Sequence, residues 1–154
     1  MEESLNLAQS RERELSQAVS DAFLEKRQDI RTYSPLTLAY IGDAFYDLIV
    51  RTAVVERANR PANELHRAAV RFVSAAAQAK IADALAESLT EDEKSVYRRG
   101  RNSKPHTMAK NATPGEYMRA TGLEAVLGYL YLSGRTDRAL ELVKKGTELA
   151  GLRL

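Results

Sequence analysis

Two carboxylates stand in places where acids are expensive. Asp43 sits in an apolar run, between Ile41-Gly42 and Ala44-Phe45, and Glu124 sits between Leu123 and Ala125-Val126-Leu127. An ionised carboxylate buried in such a run costs several kcal/mol unless it is paired with a cation or holds a metal. Gly42 and Gly122 lie beside them. A helical glycine costs about 1 kcal/mol relative to alanine, but it lets a second helix or a ligand come close. Asp47 follows Asp43 by one helical turn and points to the same side, as a supporting acid. These residue types have two readings. One is a metal-holding pair, and the other is a set of ion pairs with Arg or Lys from neighbouring helices. Spacing does not separate them.

A second feature is electrostatic. From Arg98 to Lys110 the chain carries Arg98, Arg99, Arg101, Lys104 and Lys110 and no acid, whereas Glu87 to Glu93 holds four acids and no base. The net charge is only +2, so the asymmetry is local. Such a block is either a solvated face or a site for a polyanion. Asn102, Ser103, His106, Thr107 and Asn111 add short donors suited to phosphate and ribose. The block has no aromatic residue to stack on unpaired bases, which favours a duplex backbone over a single strand.

The elements that must position these groups read as helices. Leu15, Val19 and Phe23 recur at a spacing of four, predicting an amphipathic helix over about 10–29. Ser34-Pro35 opens the next, running from Leu36 to about Glu56 and apolar on nearly all sides, so it is expected to be central and buried. After Arg60-Pro61, Asn63 is read as the cap of one long helix carrying Leu65 through Leu85. Thr90 with Glu93 forms a capping box for a short helix to about Arg99, and Gly100 to Ala112 reads as a loop. Thr113-Pro114 with Glu116 opens a helix to Leu132, closed by Gly134, and a last helix spans Thr136 to Leu149. No strand alternation and no internal repeat appears. The expected fold class is all-α, a bundle-like domain.

Composition narrows the classes of function. With 44% apolar and 29% charged residues, the 154-residue chain has the make-up of a soluble globular domain with a sizeable core. Without cysteine there is no disulfide, thiolate zinc site or cysteine nucleophile. His66 and His106 are too few and too isolated for a zinc site, and His66 reads as a helix-start residue that caps or packs. No stretch approaches the roughly twenty apolar residues of a membrane span. The acidic N-terminus lacks an apolar signal core, so the expectation is a cytoplasmic protein that does not engage a membrane.

The run Leu38-Ala39-Tyr40-Ile41-Gly42-Asp43-Ala44-Phe45-Tyr46-Asp47 resembles the signature helix of the ribonuclease III family. Ala120-Thr121-Gly122-Leu123-Glu124-Ala125-Val126-Leu127-Gly128-Tyr129-Leu130 resembles its second acidic helix. Leu65-His66, Val73-Ser74-Ala75, Ala77-Gln78-Ala79 and Arg98-Arg99-Gly100-Arg101-Asn102 are similar to the Mini branch of that family. The resemblance covers about 34–146. Larger relatives carry Glu where this chain has Ala39 and Asp where it has Thr121. Only Asp43 and Glu124 match the acidic set.

The resemblance implies a homodimeric all-α endonuclease domain over residues 34–150, after a charged helical extension over 1–33. It implies Mg²⁺-dependent cleavage of double-stranded RNA to 5′-phosphate and 3′-hydroxyl ends, with Mn²⁺ able to substitute. Asp43 and Glu124 would be catalytic and metal-holding. Arg98, Arg99, Arg101, Asn102, Lys104 and Lys110 would bind RNA. The implied task is maturation of the 23S ribosomal RNA precursor. No room follows Leu149 for the double-stranded-RNA-binding domain that larger relatives append. The rival is a non-catalytic RNA-binding or ribosome-associated helical module, which would keep the basic block but have no need of the two acids.

Overall fold

The computed structural model describes residues 13–103 and 112–154, and these form seven α-helices with no strand among them. They are α1 (Leu15–Phe23), α2 (Pro35–Arg57), α3 (Ala62–Val73), α4 (Ala75–Leu85), α5 (Glu91–Arg101), α6 (Pro114–Leu132) and α7 (Thr136–Leu149). A 3₁₀ turn, Ile30–Thr32, precedes α2. The all-α expectation holds. Most boundaries follow the capping chemistry. Ser34 accepts from the Thr37 amide with Pro35 at the first helical position, and Thr90 and Thr113 both close full capping boxes, with Glu93 and Glu116. Gly134, at φ +70°, turns the chain out of α6 in a conformation that a β-carbon would strain.

Several expectations need correction. The single helix over Leu65–Leu85 is two, broken at Ser74, whose backbone is extended and whose hydroxyl accepts from the Ala77 amide. A serine that bonds its own backbone competes with helix continuation. Asn63 does not cap α3, since Pro61 stands at the cap with no side-chain bond. His66 is a full turn inside that helix. The N-terminal helix occupies only Leu15–Phe23, and its Leu15, Val19 and Phe23 face solvent, while Ser16 is buried. The residues from 10 to 12 lie outside the described residues. Finally, Gly100 and Arg101 belong to α5 and not to a loop.

The central helix is α6 and not α2. Ala120 through Leu123 and Ala125 through Gly128 are all buried, because α6 packs against α2, α4, α5 and α7 together. Helix α2 buries Leu38, Phe45, Tyr46, Val50 and Val54 but leaves Tyr40, Leu48 and Val55 exposed.

Glycine sets the two tightest crossings. A β-carbon on Gly42 would lie 1.7 Å from the Glu124 carbonyl oxygen, and one on Gly128 would lie 1.9 Å from the Leu38 carbonyl oxygen. The backbones of α2 and α6 therefore touch. On the other side of α6, Gly122 meets the Tyr97 ring and Gly100 approaches the Gly122 Cα. Elsewhere a buried ion pair joins α5 to α7. Arg138 Nε and Nη2 donate to the two Glu93 oxygens at 2.9 and 2.8 Å, and Glu93 is fully buried. Burial alone would raise the Glu93 carboxyl, but hydrogen bonds from Arg138 and the Thr90 backbone outweigh it and hold the group low.

Gly42→Ala should therefore destabilise the fold by about 3 kcal/mol, seen as a fall of roughly 6–12 °C in melting temperature. Gly115→Ala, where the nearest neighbour is the Arg119 guanidinium at 3.4 Å, is the control and should change little. Equal melting temperatures for the two variants would refute the close-crossing account.

Candidate active site

Because α2 and α6 touch at Gly42, the residue after Gly42 and the one whose carbonyl it meets are brought together: Asp43 and Glu124. Asp43 is exposed and Glu124 is part-buried. The two carboxyls lie within hydrogen-bonding reach of each other. Burial first, then the hydrogen bond to Asp43, then the repulsion of its charge push Glu124 from its ordinary 4.5 up to about 9. Among the described residues, no Lys, Arg or His comes within 4 Å of either acid. Among the described residues, the ion-pair alternative is thus not formed.

Asp47 is placed differently. Its carboxylate meets Arg51 Nε at 2.9 Å, an i,i+4 pair along α2. Tyr46, near enough for the charge of Glu124 to act on it, was not among the candidate site residues. Its hydroxyl is buried and donates to the Phe72 carbonyl at 2.7 Å, fastening α2 to the end of α3. Burial, with the charge of Glu124 second, pushes that hydroxyl above its usual range, so it stays protonated. Phe45 stacks on Tyr131 with centroids 4.8 Å apart and fixes α2 against α6 on the adjacent face. The two positions where larger relatives carry further acids cannot supplement the pair. Ala39 is buried and apolar, and the buried Thr121 hydroxyl donates to the Tyr117 carbonyl.

No group of three or more acids or histidines able to hold a metal exists among the described residues. Two hard carboxylates with no counter-charge still suit one kind of cation. Mg²⁺ is often bound by one or two carboxylates while keeping several waters and substrate phosphates as its other ligands. The proton held on Glu124 fills the place of that missing charge, so the donor set fits the ion.

The basic residues divide between the end of a helix and the chain beyond it. Arg98, Arg99 and Arg101 occupy the last turn of α5 and are exposed, and Asn102 is its C-cap. Cations there complement the helix dipole. The Arg101 guanidinium stands 5.9 Å from the Tyr97 ring centre, and Tyr97 packs on Gly122, two residues before Glu124. Lys104, His106, Thr107, Lys110 and Asn111 lie outside the described residues. A further basic face was not anticipated. Arg60, Arg67 and Arg71, with Glu64, line an open depression of about 400 Å³ beside α3. The i,i+4 spacing of Arg67 and Arg71 was its sequence signal.

An all-helical domain that sets two acids side by side across a glycine crossing, next to an arginine-rich helix end, matches the ribonuclease III domain family over residues 36–135. The chain belongs to that family. Within it, the chain is 49% identical over 117 residues to the Mini-ribonuclease 3 of Symbiobacterium thermophilum, covering 76% of this chain and 90% of that one. It is 42% identical to the Mini-ribonuclease 3 of a Thermoanaerobacter species (80% and 87% covered) and 40% identical to that of Staphylococcus aureus (79% and 94%). A crystal structure of a Fusobacterium nucleatum protein superposes with a TM-score of 0.71 at 30% identity, covering 77% of this chain and 96% of that chain. No helix among the described residues is long and apolar enough to cross a membrane.

The raised Glu124 carboxyl has a thermodynamic consequence. Between pH 4.5 and about 9 the folded, metal-free protein keeps a proton that the unfolded chain has released. Stability should therefore fall as pH rises through that window. With metal chelated, the melting temperature of the parent should drop from pH 5 to pH 9 more steeply than that of Glu124→Gln. Added Mg²⁺ should restore the parent most at the alkaline end. Parallel pH profiles for parent and variant would show that Glu124 is not the titrating group.

Proposed function

We propose that the protein is a divalent-metal-dependent endoribonuclease of the Mini-ribonuclease 3 kind, which cuts double-stranded RNA and leaves 5′-phosphate and 3′-hydroxyl ends. The observation that carries this reading is the pairing of Asp43 and Glu124, without a cationic partner among the described residues, in a chain of the ribonuclease III family. Residues 34–150 form the catalytic domain and 1–33 an extension to it. Asp43 and Glu124 hold Mg²⁺, with Mn²⁺ as a substitute. When bound there, the ion supplies an activated water and charge stabilisation on the phosphate oxygens. The chain does the rest. Asp43, exposed at the rim, meets the incoming backbone. Glu124, part-buried beside Asp43, gives up its proton when the cation binds. Asp47 contributes at second hand by holding Arg51 on the same face of α2.

The RNA is gripped by Arg98, Arg99, Arg101 and Asn102 at the end of α5, together with Lys104 and Lys110. A-form duplexes hide their major-groove base edges, so most contacts go to phosphates and 2′-hydroxyls. The substrate is a double-stranded segment of the 23S ribosomal RNA precursor, and the compartment is the cytoplasm. The protein works as a homodimer, because Tyr40, Leu48 and Val55 leave an apolar stripe of α2 uncovered in the single chain. Two copies place two sites across one duplex through an isologous contact.

Asp43→Asn and Glu124→Gln should each lower duplex cleavage by at least about a thousandfold while helicity and RNA retention stay at parental levels. Near-parental turnover in either would overturn the assignment. Absence of Mg²⁺-stimulated cleavage in the parent itself would favour the RNA-binding-module reading. For the grip, replacing Arg99, Arg101 and Lys104 by Ala should raise the Michaelis constant and flatten the salt dependence of binding, since fewer counterions are released. If the triple variant matches the parent at every salt concentration, the RNA lies elsewhere on the protein.

A further inference from the structure

Helix α1 lies outside the span that matches the family, residues 36–135, and its outward side is unusual. Leu15, Val19, Phe23 and the following Leu24 are all exposed, Phe23 at 81%. Polar contacts tie this part of the chain to the rest of the domain. Arg27 donates to the Leu132 carbonyl at 2.9 Å and to Gln17 at 2.7 Å, Gln17 donates to Asp21, and Thr136 donates to Glu14. A helix fastened by its polar side, with its apolar side turned to water, costs free energy in an isolated chain.

That apolar side continues onto α2. Val19 and Leu24 line a cleft of about 210 Å³ whose opposite wall includes Ile41 and Tyr131. On the helical net Ile41 shares a side with Leu48, two turns on, which is exposed, as is Tyr40 at 81%. The stripe Tyr40-Ala44-Leu48-Val55 and the stripe on α1 thus meet at this cleft, where Arg27 is the one charged side chain in the lining. A stable pair of subunits buries about 800 Å² per partner, drawn from some 20–30 residues a side. The outward face of α2 offers only a handful. The contiguous surface on α1 supplies what that face lacks.

We infer that α1 is part of the subunit interface: the Leu15-Val19-Phe23-Leu24 stripe packs on a second copy of this chain and widens the contact made by α2. The inference rests on the homodimer reading above. The occupant is a second copy, not a foreign partner, because the two stripes border one cleft and an isologous contact centred on one reaches the other.

The test uses the full chain. In sedimentation equilibrium, Val19→Glu/Phe23→Glu should raise the dimer dissociation constant about tenfold or more, with unchanged helicity by circular dichroism. Leu48→Glu, on α2, tests the homodimer itself. Since the chain has no cysteine, a single nitroxide can be placed by Phe23→Cys. The label should be immobilised above the dissociation constant and mobile below it, a reading that decides the matter even if the double variant fails to fold. Dissociation by Leu48→Glu with no effect of the α1 variant, or a label that stays mobile in the dimer, would overturn the inference and leave the homodimer standing. A parent that is monomeric at micromolar concentration would overturn both.

Discussion

Everything in the site depends on one steric fact, that α2 and α6 approach until their backbones touch. Ordinary helix pairs are held 8–10 Å apart by side chains. Here Gly42 and Gly128 remove the spacers at two points, and each faces the other helix's carbonyl oxygens. Closer approach turns a pair of distant acids into a coupled pair. Asp43 and Glu124 then interact strongly enough that one of them keeps a proton well into the alkaline range. The electrostatic property that suits the site to a hard cation is thus a product of packing.

The surrounding helices hold the crossing in place. Tyr46 ties α2 to the corner between α3 and α4, and Gln78 donates to the Val73 carbonyl at the same corner. The Glu93–Arg138 pair, with a further Arg138 bond to the Ser88 carbonyl, ties α7 to the start of α5. These bonds lie in buried or part-buried surroundings, where an unmade bond is costly, so each fixes one relative position of two helices. The fold presents its basic and apolar surfaces at the periphery.

Much of this is legible in the sequence, and the failures have physical reasons. Serine and threonine caps with proline or glutamate at set offsets gave correct starts for α2, α5 and α6, because capping is local chemistry. Asp43 and Glu124 were visible as acids in apolar runs, and their partnership followed from the family pattern. Ser74 was passed over because the apolar period continues through it; only its own hydroxyl, acting as a cap, ends the helix. Helix α2 was taken as central because apolar composition does not tell burial in one's own core from burial against another surface. The same ambiguity hid the outward stripe of α1. Gly100 read as a loop residue on composition, although its lack of a side chain is what α5 needs to lie against Gly122.

Helix α6 is gripped twice, at Gly122 by α5 and at Gly128 by α2, with Glu124 between the two grips. Six residues separate the glycines, roughly 9 Å of helix. Inserting or deleting one residue there would shift the far side by about 1.5 Å and rotate it by about 100°. One of the two glycines would then leave its groove, and a side chain would enter in its place. The segment has a fixed phase as well as a fixed length. Its count of residues cannot change without unseating the carboxylate it carries.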